Sequence, residues 1–375
     1  MAKPFFSGAL KTFLIICNFI TVIGFVLGSY VKFLNPEKWW FIGLLTLSLP
    51  YILIILLIFF FWWLFGKKIW MLISLSAIAF CFNAIQNFLP LRFSAAFKEK
   101  KINSFRVMDW NVKYFNILEY KTHPEKKEEM IDLINKYQPD IACFQEMVGG
   151  DDDKTINYVG NFKRELQFSN YYYSYDKNIN FDNEHHFGII IFSKFPIINK
   201  KTITPLPTAY NSIFQYVDVI VQSDTVRIFN IHLQSLSLSE NNLKYIDNPI
   251  KNKDTVLSES RSIMSKLKKG FVKRWVQANR VKEEIDKSPY PVIVCGDLND
   301  VPNSYAYCKI GDGLQNAFVE KGLGFGSTYS GISPTLRIDN IFVDKKFKIE
   351  QFTRIPKKLS DHFPIIADIS IKINK

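Results

Sequence analysis

The chain has 375 residues, a formal net charge of +12 and 48% hydrophobic residues, a length that allows two domains. Up to Lys101, ten Lys or Arg face only Glu37 and Glu99, and the remainder, with 37 basic against 33 acidic residues, is close to neutral; that argues against a duplex-binding basic face. Five cysteines with no CxxC or Cys/His spacing argue against zinc and supply no disulfide framework.

Three apolar stretches come first, over about 12–33, 39–65 and 69–89, each long enough for the ~20 residues a helix needs to cross hydrocarbon. A signal peptide would be shorter and would carry a small-residue cleavage site. Tryptophans at 39, 40, 62, 63 and 70 fall near the ends of the stretches, as interfacial belts do. Residues 1–100 are therefore expected to form a three-helix transmembrane anchor, with the lipid bilayer as partner. Three spans put Lys3, Lys11, Lys67 and Lys68 on one side and Lys32, Lys38, Arg92, Lys98, Lys100 and Lys101 on the other. That bias is too small to assign the side.

From about Ile102 the pattern changes to short β-rich runs between polar helices. FRVMDWNV (105–112) and DIACFQE (140–146) read as strands around a charged helix at 125–137. GIIIFSKFPI (188–197) is an apolar strand ending in a proline turn, and 216–234 is a hairpin around Ser223 and Asp224. A polar stretch at 236–262 reads as an irregular insertion overlapping a long helix at about 255–287. Strands follow at VIVCGDLNDVP (292–302), RIDNIFVD (337–344) and FPIIADISI (363–371). This alternation predicts an α/β sandwich with mixed sheets over 101–375.

The strand ends carry Asn111, Glu146, His232, Asp297 with Asn299, Asp339, and Asp361 with His362. Singly, each has an ordinary explanation as a turn cap or a satisfied core histidine. Together they supply the oxygen and imidazole types that phosphoester hydrolysis requires, because a phosphate repels its nucleophile until a cation and donors surround it.

DWNV, DIACFQE, GIIIFSKFPI, NIHL, GDLNDVPNS, STYSG with RIDNIFV, and SDHFPIIADI, in this order, resemble the endonuclease/exonuclease/phosphatase superfamily of DNase I-like, metal-dependent phosphodiesterases. The resemblance spans about 102–373. It implies a four-layer α/β/β/α sandwich, here preceded by the transmembrane region, and Mg²⁺ as cofactor, with Mn²⁺ able to substitute. It implies that Glu146, Asn111 and Asp361 lie at the metal. Asp297 would orient or deprotonate water and Asn299 would bind a nonbridging oxygen. His232 and His362 would neutralise developing charge, and Asp339 would hold the imidazole of His362; whether Asp297 or His362 is the base stays open. Lys113 replaces an acid found in apurinic endonucleases, and His232 points towards DNase I, sphingomyelinases and inositol-polyphosphate phosphatases. Asn340 stands where the family usually has Tyr, a change expected in the pocket lining. His185 and His186, just before a strand, are candidate substrate contacts. The expected protein is a bacterial plasma-membrane phosphoesterase acting on a phosphodiester or phosphomonoester, a lipid head group among the candidates. The alternatives are a membrane-bound nuclease, with nucleic acid a less favoured partner, and a non-catalytic binding member. No feature points to an oligomeric state.

Overall fold

A computed structural model describes residues 3–66, 68–93, 97, 99–150, 152, 158–180, 185–204, 213–247 and 256–372. Two six-stranded sheets face each other in its C-terminal part. One contains β1 (Ser104–Asn111), β2 (Ile141–Gly149), β3 (Asn170–Asn180), β4 (His186–Ser193), β11 (Phe347–Arg354) and β12 (Ile365–Ile371) in the order β11-β12-β1-β2-β4-β3. The other contains β5 (Ile197–Ile203), β6 (Phe214–Val221), β7 (Asp224–His232), β8 (Val292–Asp297), β9 (Leu314–Asn316) and β10 (Asp339–Asp344) in the order β5-β6-β7-β8-β10-β9.

The period of two in a strand sorts side chains into layers. Phe105 and Val107 join Val217, Ile228 and Ile293 in an apolar core between the sheets. Met108 and Trp110 turn the other way, to pack with Met130 and Ile134 of the helix Glu125–Tyr137 and Phe162 of the helix Val159–Glu165. On the far face, Phe229 and Val294 meet Ala278, Val281 and Ile285 of the long helix Val256–Asp286, and Tyr307 and Ile310 of Tyr305–Ile310. The result is the expected α/β/β/α sandwich. The polar insertion is only partly irregular, since Glu240–Asp247 is helical; its residues 248–255 lie outside the described residues.

The N-terminal region departs from three uninterrupted helices. Its first helix, α1 (Lys3–Ser29), contains the one described segment that is by itself long and apolar enough to cross a membrane, Gly8–Ser29. The second stretch divides into α2 (Pro36–Trp39), α3 (Ile42–Leu47) and α4 (Leu49–Leu64). Pro36 and Pro50 open the first and third of these, and proline starts a helix more readily than it continues one. The third stretch bends by 62° between α5 (Lys68–Phe80) and α6 (Phe82–Phe88). The bend brings α6 onto the sandwich, where the Asn87 amide donates to Asn303 Oδ1 at 2.8 Å and its carbonyl accepts from buried Arg337. These helices share a core of Phe25, Leu49, Leu53, Leu56, Ala77 and Phe88, against which Phe325 of the sandwich packs. Of 35 exposed large apolar side chains among the described residues, 25 lie between Leu10 and Phe93, a concentration that water does not favour.

Gly296 is required by a close approach rather than by a turn. Its φ is +145°, and a Cβ there would stand 2.0 Å from the Ile231 carbonyl oxygen on neighbouring β7. Gly296→Ala is expected to lower stability by at least about 1–3 kcal/mol from backbone strain alone, read as a fall in Tm.

Candidate active site

β1 runs parallel to β2, and β7 parallel to β8, so their chemistry-bearing ends gather at one edge of the sandwich. Across the second sheet His232 pairs in register with Asp297, and Asp297 with Asp339. The three share the face that points between the sheets, where they are 2%, 1% and 1% exposed. Asn111 reaches the same point from β1, and its amide donates to Asp297 Oδ2 at 3.3 Å.

His362 enters from the segment before β12. Its Nδ1 lies 2.8 Å from Asp339 Oδ2, and its Nε2 faces Asp297 Oδ2 at 3.8 Å. Trp110 Nε1 donates to the His362 carbonyl at 2.9 Å, and Ser360 Oγ accepts from its backbone N–H. Burial alone would push the imidazolium down, but the carboxylates of Asp339 and Asp297 outweigh it and hold the pKa up at about 10. Asp297 is raised by burial and by the like charge of Asp339, an effect that His362 and His232 oppose.

Both ring nitrogens of His232 are buried without a hydrogen-bond partner among the described residues. Nε2 stands 3.6 Å from Asp297 Oδ2 and 3.9 Å from Glu146 Oε1. A buried imidazole left in this state is placed to receive a group from outside the chain. Glu146 occupies an irregularity of β2 between Phe144 and Met147 and has φ +49°. A non-glycine residue in this left-handed region is strained, a feature that clusters at functional sites. The bulge aims the carboxylate to the cluster instead of along the strand's alternation.

The remaining candidate residues fall in different surroundings. Both uses of the Asn299 amide are internal, to the Leu233 carbonyl at 3.0 Å and to Asp297 Oδ2 at 3.2 Å, and its backbone N–H donates to Asp297 Oδ1 at 2.7 Å. Asn299 therefore clamps Asp297 rather than presenting a free donor to phosphate. Asp361 borders the same pocket as Glu146, Asp297, Asn299 and His362. His185 and His186 do not border it; His186 stacks on Tyr175 at 4.4 Å in the β3–β4 pair, and His185 is buried beside it in sequence. Asn340 is also turned away from the pocket, since its amide joins Asn316 Nδ2 and the Ile338 carbonyl.

The sequence reading missed a polar layer directly beneath the cluster. The Gln145 amide donates to Asp109 Oδ1 at 2.7 Å and to Asn230 Oδ1 at 2.8 Å, while Asn230 donates to carbonyls of β2 and β4. The signal was present: Asp109 and Asn230 precede Asn111 and His232 by two positions, so they must share those residues' strand face. Tyr329, which meets the His362 ring edge-on at 5.2 Å, was also missed as a site residue. Thr328 beside it accepts through Oγ1 from the backbone N–H of Asp339 at 3.0 Å.

For a divalent cation, Glu146, Asn111 and Asp361 offer the hard oxygen donors that Mg²⁺ prefers. The Glu146 carboxylate accepts no hydrogen bond from the described residues, and Asn111 Oδ1 accepts only the Lys113 N–H, at 3.2 Å, leaving a lone pair. Among the described residues, Asp297, Asp339 and His362 also bring ligand atoms within 4.8 Å of one another. The Asp339–His362 hydrogen bond already engages two of these three, so the oxygen set fits a resident hard cation better.

The sequence profile of the Endonuclease/Exonuclease/phosphatase family matches residues 110–362, and that of a domain of unknown function matches residues 11–88. No curated protein matches the chain in sequence. Among solved structures, an endonuclease/exonuclease/phosphatase family protein from Bacteroides thetaiotaomicron is 15% identical, with a TM-score of 0.51 over 74% of this chain and 100% of that one. TDP2 from D. rerio, complexed with a single strand DNA product, is 17% identical, with a TM-score of 0.50 over 72% of this chain and 100% of that one. The human Nocturnin catalytic domain, with bound sulfate anion, is 17% identical, with a TM-score of 0.50 over 73% of this chain and 97% of that one. At these identities the likeness is one of fold.

Proposed function

Because the chain belongs to the endonuclease/exonuclease/phosphatase family, we propose that it is a divalent-metal-dependent phosphoester hydrolase held at a membrane by its N-terminal helices. The observation that carries this reading is the in-register row His232–Asp297–Asp339, completed by His362 on Asp339.

In the proposed reaction water attacks phosphorus, a new P–O bond forms, and the bond to the leaving oxygen breaks in line. Asp297, clamped by Asn111 and Asn299, orients the water and accepts its proton. His362, charged at neutral pH, directs Nε2–H into the same space and stabilises the phosphoryl oxygens as charge builds on them. Asp339 fixes that tautomer and orientation. His232 offers a second imidazole to the oxygens. A cation bound by Glu146 with Asn111 and Asp361 would neutralise phosphate charge. Membrane attachment is supported by Gly8–Ser29 and by the exposed apolar faces around it. It restricts what the site meets and favours membrane-borne phosphoesters. The segment that leads into α3 packs on the sandwich, with Phe271 ring carbons 3.0 Å from where a Cβ on Gly43 of α3 would stand and Lys268 over Trp40, contacts that support an arrangement with both on one side of such a membrane.

The test uses the full chain purified in detergent with bis-p-nitrophenyl phosphate. EDTA is expected to abolish turnover, and Mg²⁺ or Mn²⁺ to restore it. Glu146→Gln should need far more metal for half-maximal rate. Metal-independent turnover, or a normal metal requirement in Glu146→Gln, would overturn the assignment. Plasmid DNA cleaved in preference to small or lipid phosphoesters would favour the nuclease alternative.

A further inference from the structure

A cavity of ≈ 260 Å³ opens directly beside the catalytic cluster. Glu146, Asp297, Asn299, Asp361 and His362 form one end. The other walls are mostly apolar and come from separate parts of the chain, Leu47 of α3, Leu236 after β7, Leu267 and Phe271 of the long helix, and Ile332 and Leu336 before β10, with Ser235, Ser237, Asp300 and Tyr329 set among them. Apart from His362, the one cation among the described residues of its lining is Arg274. That guanidinium is already committed, with Nε donating to Asp300 at 2.9 Å and a terminal nitrogen to the Gln234 carbonyl at 3.0 Å. A sugar or nucleotide would leave most of its hydroxyls and ring nitrogens unpaired against the apolar stretches, at a cost comparable to lost hydrogen bonds. A hydrocarbon chain would lose nothing there and would gain the burial of each methylene.

The N-terminal helices are part of this cavity rather than a remote tether. Leu47 lies at the α3–α4 break, and four residues on, Tyr51 Oη is 2.9 Å from Ser333 Oγ in the loop that carries Ile332 and Leu336. α4 continues with exposed Ile54, Ile55, Ile58 and Phe61. The phosphate-handling end and the bilayer-compatible helices thus border one continuous space.

We infer that this cleft binds the hydrocarbon part of a membrane lipid phosphoester, so that the substrate is a lipid with its phosphate at Asp297 and the first stretch of a chain against Leu47, Leu267 and Leu336. The inference rests on reading the Asp297 cluster as a phosphoester-hydrolysing site. The volume is just under the ~300–1,000 Å³ typical of pockets that enclose a whole small ligand, so the cleft takes the proximal part of one chain and leaves the rest in the bilayer.

The test separates tail from chemistry with p-nitrophenyl alkyl phosphates that differ only in the alkyl group (methyl, octyl and hexadecyl), assayed on the full chain in mixed micelles. The octyl-to-methyl ratio of kcat/KM is expected to be at least about tenfold, given the worth of each buried methylene. In Leu267→Glu and Leu336→Glu that ratio should fall to near one. Leu47→Phe, which keeps the wall apolar but narrows it, should move the preference to shorter tails, and it guards against a charged variant that does not fold. Hydrolysis with no dependence on tail length overturns the cleft assignment and leaves the hydrolase reading standing. A tail preference that survives all three substitutions also overturns it, because the gain would then come from partitioning into the micelle. No hydrolysis of any ester by the wild type overturns the reading on which the inference rests.

Discussion

Asp297→Asn is expected to lower kcat for phosphoester hydrolysis by about 10²–10⁴-fold, the range for loss of a general base, without loss of fold. The side chain is 1% exposed, and its shape is kept. The remaining amide oxygen can still accept the Asn299 backbone N–H, which now donates to Oδ1 at 2.7 Å. The substitution also removes a buried charge that burial and Asp339 both disfavour. Against that gain, Oδ2 accepts from the Asn111 and Asn299 amides at 3.3 and 3.2 Å, which an amide nitrogen in its place cannot do, so the two effects oppose and stability should change little. Kinetics with bis-p-nitrophenyl phosphate and a thermal melt check both halves. Wild-type kcat would remove Asp297 from the chemistry. A large fall in Tm would show that the charge is needed for folding instead.

Asp339→Asn is expected to act through His362. In the wild type the two carboxylates hold the imidazolium to about pH 10 against burial, from an ordinary value of 6.5. A pKa raised on folding contributes stability that is fully present below the ordinary value and is lost as pH rises through the folded one. Wild-type stability should thus decline between about pH 6.5 and 10. The alkaline limb of kcat/KM should lie near the upper end, because that profile reports the free protein's essential groups. Removing the Asp339 charge takes away the foremost opposing influence on a buried cation, so the alkaline limb should shift to lower pH. At neutral pH activity should fall by about 10²–10⁴-fold as the imidazole loses charge and orientation. A pH series of melts and rates on both proteins tests this. An alkaline limb that does not move would show that His362 is not the group titrating there.

Much of the sandwich was legible because alternation and turn signals act locally. The helix expected at 125–137 forms over Glu125–Tyr137, with Met130, Ile131, Leu133 and Ile134 buried as their spacing requires. The hairpin around Ser223 and Asp224 forms between β6 and β7. Edge strands such as β5 and β11 were not legible: β5 is exposed and lysine-bearing over most of its length, and the alternation that opens β11 breaks at the irregularity between Ile349 and Gln351. Hydropathy alone overran the breaks before α3 and α4, although Pro36 and Pro50 marked two of the helix starts.

Local pattern was enough to show which chemistry gathers at strand ends: Asn111, Glu146, His232, Asp297, Asp339 and His362 each close or adjoin a run whose period places it on a rigid strand or at its exit. It could not decide what those residues do for one another. Only the register of β7, β8 and β10 sets Asp297 between His232 and Asp339, and only the bulge in β2 turns Glu146 towards them. The tertiary structure likewise turned Asn299 into a clamp, left His186 stacked on Tyr175, and set Leu47 in the wall of the cleft. The division has one physical cause. Periodicity is written in neighbouring residues, whereas pairing register and docking depend on residues far apart in the chain, whose contacts exist only once the sheets have closed on each other.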